Sequence, residues 1–372
     1  MTDFIHRLFA LIRKELLSVL MDKSSRTILI GPVIMQSLLF GYAATYDLSN
    51  APYVVLDLSH SPTSAALLAK LDGTGFFRRV ASVSSTAELE AAIDTQQALM
   101  AIRIDARFES QLLGGQTAPV QLILDARNST TANAAASSVA AVVDAFNAER
   151  RASEGVAAPP LVIETRAWFN PNLQTRWNFM PALIATLSML QTLLLTALSV
   201  AREREQGTFD QLLVTPMTPT EIMIGKAIPP MLIGLAQATI VLAITRWWFQ
   251  IPMIGSLPVL YTGLAAFLAA GVGIGLTISA LSLNMQQAML YTFVLLMPMM
   301  LLSGLTTPVA TMPEVLQVAT LANPIRFGID MVRRVYLEGA GLSTVWPDLV
   351  PLLLIAAATL PAAAWLFRNR LA

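Results

Sequence analysis

Cysteine is absent from the 372 residues, and histidine occurs only twice, as His6 and His60. The first absence removes disulfides, thiolate catalysis and cysteine metal sites together. The second leaves too few imidazoles for a histidine-built metal or catalytic centre. Charge is scarce as well: Asp, Glu, Lys and Arg make up 13% of the chain, against roughly a quarter in soluble globular domains. The signs cancel, 24 against 24, so no net charge points to nucleic acid as a partner. There is also no G-x-x-x-x-G-K-[ST] phosphate loop. Gly225-Lys226 is followed by Ala227 and lacks the upstream glycine spacing, so the chain itself is not expected to hydrolyse ATP.

What is present is hydrocarbon. Residues of the hydrophobic class are 55% of the chain and gather in runs near twenty residues, the length that crosses a bilayer as a helix. The first run, 28–45, carries no charge. A cleaved signal peptide is its competing reading, but such an apolar region is about 7–15 residues, and a long charged segment precedes this one. Gly31-Pro32 is expected to kink or start this helix. Five further runs follow at 178–200, 227–245, 257–283, 288–303 and 345–367. Six crossings put both termini on one side. Lys and Arg collect on the cytoplasmic side, and they cluster in the first 26 residues, in 201–226 and at the C-terminus, while the loop near 246–256 has only Arg246. Both termini and the 201–226 block are therefore expected in the cytoplasm. Arg326, Arg333 and Arg334 dissent, in a stretch that reads as partly re-entrant.

Ahead of the first run, Ile5, Leu8, Phe9, Ile12, Leu16, Val19 and Leu20 share one helical stripe, with Asp3, Arg7 and Lys14 opposite. This is the pattern of an amphipathic helix lying in the membrane interface; a cytoplasmic extension of the first span is the alternative. Met21 to Ser25 supplies a polar break. The expected organisation is an interfacial helix over 1–25, a first span over 26–46, an inserted domain over 47–177, and five spans over 178–372. In the inserted domain, strand-like runs (PYVVLDLS, FFRRVASV, ALMAIRI, VQLILDA, PLVIETRAWF) alternate with helical ones, the longest at 130–154. That alternation predicts an α/β or α+β fold on the periplasmic side. Asp57, Asp125, Arg127 and Asn128 sit at strand ends, but with no nucleophile elbow, metal spacing or phosphate loop beside them they read as turn residues. A docking or gating surface is the expected role of this domain.

The block at 201–226 interrupts two apolar runs with charge, glycine and proline. Arg202, Glu203, Arg204 and Glu205 precede Gly207, which permits a bend; Leu212, Leu213 and Val214 form an apolar rung, and Pro216 and Pro219 end the segment. A short helix parallel to the membrane, built as a rigid knob for a partner's groove, is the expected form.

The run EREQGTFDQLLVTPMTPTEIMIGK resembles the signature of permease subunits of type-2 ABC exporters. A second run, SGLTTPVATMPEVLQVATLANPIRFGIDMVRRVYLEG at 303–339, resembles the same family, as does the order of segments along the whole chain. The likeness is greatest to bacterial inner-membrane permeases with a large domain after the first span. The resemblance implies that 202–216 is a coupling helix seated in a cleft of a separate ATPase subunit. Glu203 and Glu205 would pair with basic groups there, Gly207 and Thr208 would shape the turn, and the N-terminal helix would clasp the same subunit. It implies short re-entrant helices over 304–340, with Pro308, Pro313, Asn323, Pro324 and Arg326 at an outer gate. It further implies two permease chains per ATPase dimer, a periplasmic membrane-fusion adaptor as a possible partner, and ATP with Mg held by the ATPase alone; this chain would hold no cofactor and no metal.

The middles of the spans carry no charge, only Gln36, Gln191 and Gln237. Intramembrane charges mark ion-coupled routes, so their lack favours a lipophilic or amphiphilic cargo. A secondary transporter or channel working without an ATPase is the alternative. Arg326, Arg333 and Arg334 read either as contacts for an anionic headgroup or as partners of Asp330 and Glu338. Met285, Met289, Met297, Met299 and Met300 in the fifth span read as packing or lipid-facing residues. Gly271, Gly273 and Gly275 read as points of close helix approach.

Overall fold

The computed structural model describes residues 2–21, 23–43, 50–125, 127, 129–153, 174–208 and 217–369. Internal contacts divide the chain into two units, Tyr46–Arg166 and a second made of Met1–Thr45 with Ala167–Ala372. The larger unit begins with α1 (Thr2–Met21) and α2 (Lys23–Ala43). The sequence led us to expect a turn over 21–25, but α2 starts at Lys23, so Lys23 to Ser25 form its first turn. Pro32 lies inside α2 rather than at its start, where it withholds the amide that would bond one turn back.

The smaller unit is an α/β layer. Strands β1 (Ala51–Asp57), β2 (Phe77–Ser82), β3 (Met100–Ile104) and β4 (Val120–Leu124) alternate with helices α3 (Pro62–Asp72), α4 (Thr86–Asp94), α5 (Phe108–Leu113) and α6 (Ser129–Ser153). The sheet order is β2-β1-β3-β4. Strand β1 runs parallel to both neighbours and β4 antiparallel to β3. Because side chains alternate along a strand, β1 feeds two cores. Tyr53 and Val55 pack with Leu67 and Leu68 of α3 and Ala135 and Val139 of α6, whereas Val54 and Leu56 pack with Leu89 and Ala92 of α4. A strand buried on both faces needs an almost continuous apolar sequence, as YVVL supplies. The strand expected at 160–169 lies outside the described residues.

Asp57 closes the turn after β1. Its Oδ1 accepts from the amides of Ser59 (2.9 Å) and His60 (3.1 Å), and its Oδ2 from Ser64 Oγ (2.7 Å). Asp125 accepts from Arg127 Nε at 2.8 Å, a bond that holds its carboxyl below its ordinary pKa, and Arg127 Nη2 donates to the Ile93 carbonyl at 2.7 Å. Asn128 lies outside the described residues. Asp57→Ala is expected to destabilise the smaller unit by about 1–2 kcal/mol, since two backbone donors and a hydroxyl lose their acceptor. Faster protease cleavage within 46–166 of the full chain is the readout.

The rest of the larger unit is mostly helical among the described residues. It comprises α7 (Thr175–Glu205), α8 (Pro219–Ala243) with a π turn at Ile244–Trp248, α9 (Leu257–Leu281) and α10 (Met285–Leu301). After these come the short α11 (Glu314–Ala319), then α12 (Pro324–Glu338) and α13 (Leu342–Asn369). Among the described residues, four helices are long and apolar enough to cross a membrane, at Thr175–Glu205, Thr220–Trp248, Leu257–Leu281 and Leu342–Arg368; Leu29–Tyr42 and Met285–Leu301 are shorter apolar helices. The core is built where α7, α9, α12 and α13 meet, around Met189, Leu193, Leu264, Phe267, Val332 and Leu352. In α10, Met289 and Met297 are exposed and Met299 is buried.

Glycines set the spacing of α9. A Cβ on Gly271 would strike Met189 Sδ, one on Gly273 would strike Thr359 Oγ1, and one on Gly275 would lie 2.7 Å from Thr196 Cβ and 3.0 Å from the Leu193 carbonyl. Helices approach this closely only where a small residue allows it. Gly275→Val is therefore expected to cost about 1–3 kcal/mol by overpacking, read as a lower thermal midpoint in detergent. Gly31, where a Cβ meets nothing within 4 Å, is the control: Gly31→Ala leaves the midpoint unchanged or higher.

Candidate functional site

Helix α7 is 31 residues long, which at 1.5 Å per residue is about 46 Å, longer than a hydrocarbon core of about 30 Å. It therefore reaches beyond the hydrocarbon, and one of its ends carries Arg202, Glu203, Arg204 and Glu205. The sequence led us to begin the knob at Arg202, but these four residues form the last turn of α7. All four are good helix formers. Gln206 caps the helix, Gly207 adopts φ 67°, and the amides of Gly207 and Thr208 donate to the carbonyls of Arg204 (3.1 Å) and Glu203 (3.0 Å). This paired closure needs a left-handed residue after the cap, which glycine supplies without strain. Leu212, Leu213 and Pro216 lie outside the described residues.

The charges of this turn are used inside the chain. Glu203 is 8% exposed and Lys226 of α8 is 1% exposed. Lys226 Nζ lies 2.7 Å from Glu203 Oε2, 3.5 Å from Glu15 Oε1 of α1 and 3.4 Å from Ser199 Oγ. The 2.7 Å contact falls outside hydrogen-bond geometry, so its attraction is that of charge on charge. Lys14 Nζ completes the cluster, 3.6 Å from both Glu15 and Glu203. A buried ammonium is tolerated only when it is paired, and here two carboxylates from different helices converge on one. Nearby, Arg7 of α1 pairs with Glu221 of α8 at 3.1 Å, while Glu221 also closes the α8 capping box with Thr218. Gly225 lets this happen: a Cβ there would lie 2.9 Å from Leu11 Cγ, so α1 can lie flush on α8 beside Lys226.

The next two charges face another way. Arg204 Nη1 donates to the carbonyls of Ala280 (3.2 Å) and Ser282 (3.0 Å), and Glu205 Oε2 accepts from the Met285 amide at 2.9 Å. A cation thus meets the C-terminal carbonyls of α9 and an anion the first amide of α10, the favourable sign at each helix end. Arg202 is exposed and makes no ion pair among the described residues. One turn of helix is thereby fastened to α1 and α8 through Glu203, and to the α9–α10 turn through Arg204 and Glu205.

On α1, Ile5 and Phe9 are exposed, and Leu8, Ile12 and Leu16 are half-buried. It is the opposite, charged face of α1 that docks on the bundle, through Arg7, Lys14 and Glu15. Sequence reasoning placed Lys226 in the block without a role and passed over Glu15. The Arg7–Lys14 face was legible from a spacing of two helical turns, but its counterpart on α8, Glu221, lies 214 residues from Arg7 in sequence.

The other end of α7 meets a second polar group. Arg333 of α12 donates to the carbonyls of Asn178 and Gly304, both at 3.3 Å. Arg334 pairs with Asp348 of α13 at 3.2 Å. Arg326 donates to Thr320 Oγ1 at 2.5 Å and stacks over Phe327, 5.4 Å from its centroid. None of the three pairs with Asp330 or Glu338, which corrects that expectation: carbonyls and a carboxylate from neighbouring elements lie nearer. Pro308 precedes a short 3-10 turn, Pro313 caps α11, and Pro324 opens α12. Asn323 is 5% exposed; its Oδ1 accepts from the Ile325 amide (3.1 Å) and its Nδ2 donates to the Met299 carbonyl (2.7 Å). Asn178 and Glu203 stand about 37 Å apart along α7, and from Phe179 to Ala201 the helix is apolar apart from hydroxyls and Gln191. No group of three His, Cys, Asp or Glu side chains suited to a metal occurs among the described residues.

A helical bundle with charge held at its two ends and four helices long enough to cross a bilayer defines a membrane-embedded protein. The profile described as "ABC-2 family transporter protein" matches residues 23–365, and the chain belongs to that family. It is 44% identical over 368 residues to the probable multidrug ABC transporter permease YbhR of Escherichia coli K12, covering 98% of this chain and 99% of that one. It is 29% identical to the inner membrane transport permease YhhJ of the same strain, covering 98% of each chain. It is 27% identical to the probable multidrug ABC transporter permease YbhS, covering 90% of this chain and 89% of that one. The chain is thus a permease of the ABC type, a class that works with an ABC ATPase.

Proposed function

We propose that this permease is the membrane subunit of an ATP-driven exporter in a bacterial inner membrane, moving a lipophilic or amphiphilic cargo outward. The observation that carries the reading is the wiring of the last turn of α7. A partner that shifts 202–216 pulls on Glu203, Arg204 and Glu205 together, and through them on α1, α8 and the α9–α10 turn. The distribution of Lys and Arg favours a cytoplasmic position for this end and for both termini, which leaves the smaller unit periplasmic. Leu29–Tyr42 and Met285–Leu301 complete six crossings. Two permease chains face an ATPase dimer that holds ATP and Mg, residues 202–216 form the coupling helix, and a periplasmic adaptor engages the smaller unit. The relatives named as multidrug permeases support a drug-like cargo, and the uncharged span middles support an apolar route. The segment around Pro308, Pro313, Asn323, Pro324 and Arg326 acts as the outer gate.

Purification from native membranes in mild detergent, with mass spectrometry of what accompanies the chain, tests this. A stoichiometric ATPase subunit, lost when 202–216 is scrambled, is expected. A chain that purifies alone yet moves solute after reconstitution would make it a secondary transporter.

A further inference from the structure

Beside the buried ion cluster lies a half-enclosed cavity of about 670 Å³ between α1, α7 and α8, within the range of small-molecule sites. One end is ionic, lined by Lys14, Arg202 and Lys226 against Glu15 and Glu203. Lys14 and Lys226 each bridge both carboxylates, so those four charges balance. Arg202 is the surplus cation, exposed and without an ion pair among the described residues. Gln206 and Thr208 beside it add an amide and a hydroxyl. The other end is hydrocarbon: Val19, Leu195, Ile233 and the rings of Pro229 and Pro230, two residues that offer no amide N–H. On α1, Leu17, Leu20 and Met21, neighbours in sequence of the lining residues Ser18 and Val19, are exposed apolar residues, the kind of surface a lipid leaflet covers.

We propose that this cavity binds an anionic amphiphile, its phosphate-like head on Arg202 and its alkyl chain along Val19, Leu195 and Ile233. A guanidinium suits such a head because it offers paired donors in a fixed plane, and the balanced cluster behind it prevents a second charge from being stranded. The same chemistry belongs to a resident phospholipid and to a transported amphiphile. The inference rests on the exporter reading for its place in the inner leaflet.

The test titrates radiolabelled dodecyl phosphate into the full chain in phosphatidylcholine nanodiscs, with empty discs as background. One saturable site per chain is expected. Arg202→Gln should weaken it about tenfold, as loss of a charge-assisted contact does, and Ile233→Trp should abolish it by filling the apolar end. Arg202 is exposed, so its variant keeps the fold; an unchanged elution profile verifies this. Neither dodecanol nor inorganic phosphate should compete. No saturable excess over empty discs, binding indifferent to both substitutions, or competition by phosphate alone would each overturn the proposal.

Moving the chain with its ATPase into sealed proteoliposomes and adding ATP separates the two sources. Label delivered across the membrane on ATP addition identifies cargo, and label retained at one per chain identifies a resident lipid. Saturable binding in a chain that has no ATPase partner keeps the cavity and removes the exporter reading. ATP-driven export with no saturable site does the reverse.

Discussion

Lys226→Ala is expected to cost about 3–5 kcal/mol, the range found when one partner of a buried ion pair is removed. The loss has a specific origin. Glu203 and Glu15 converge on this ammonium from α7 and α1. With it gone, two carboxylates share a site in which only Lys14 remains, and Lys14 is 59% exposed in its side chain. Lys14→Ala should cost under about 1 kcal/mol, since water screens an exposed charge. The contrast between two lysines in one cluster separates burial from charge count. A triple variant, Lys226→Met with Glu203→Gln and Glu15→Gln, should recover most of the stability because no buried charge is left unpaired. Thermal unfolding of the purified chain measures all three, and equal losses for Lys14→Ala and Lys226→Ala would contradict the account.

The second large effect concerns transmission rather than stability. Arg204 and Glu205 are part-exposed and exposed, so removing them does not open a core. They do tie the end of α7 to the α9–α10 turn. In proteoliposomes holding the permease and its ATPase, Arg204→Ala with Glu205→Ala is expected to lower transport of a lipophilic dye per ATP hydrolysed about tenfold. That corresponds to loss of a coupling free energy within the usual 1–3 kcal/mol. ATP hydrolysis itself should persist. Transport and hydrolysis falling in parallel would mean instead that the pair serves only assembly or folding.

Much of this was legible in the sequence because it is local. Alternation of YVVL and the helical runs between strands located the elements of the smaller unit, since strand and helix periods are properties of neighbouring residues. The apolar runs located the long helices for the same reason. The block at 201–226 stood out by composition. What it does within the chain was not legible, because its partners lie far away in sequence: Lys226 reaches Glu15, and Arg204 reaches Ala280 and Ser282. Charge followed by glycine and an apolar rung reads as a separate short helix. Here the four charges continue α7 by a full turn, because they are strong helix formers and each of three finds a counterpart on a different helix. Arg333 and Arg334 were read against Asp330 and Glu338 on their own helix, whereas packing brought Gly304, Asn178 and Asp348 closer. Gly225 and Lys226 lie inside α8. Only the approach of Leu11 reveals why glycine stands next to lysine there.

The central claim is that the turn ending α7 meets the ATPase. The absence of native cysteine makes the direct measurement clean: place a single cysteine at Gln206, attach a short photoactivated cross-linker, and irradiate native membranes. One adduct is predicted, with the combined mass of this chain and its ATPase, and none from a cysteine at Gln116 in the smaller unit. Adducts to the ATPase from Gln116 and not from Gln206, or none from either in a membrane where the ATPase is present, would contradict the account.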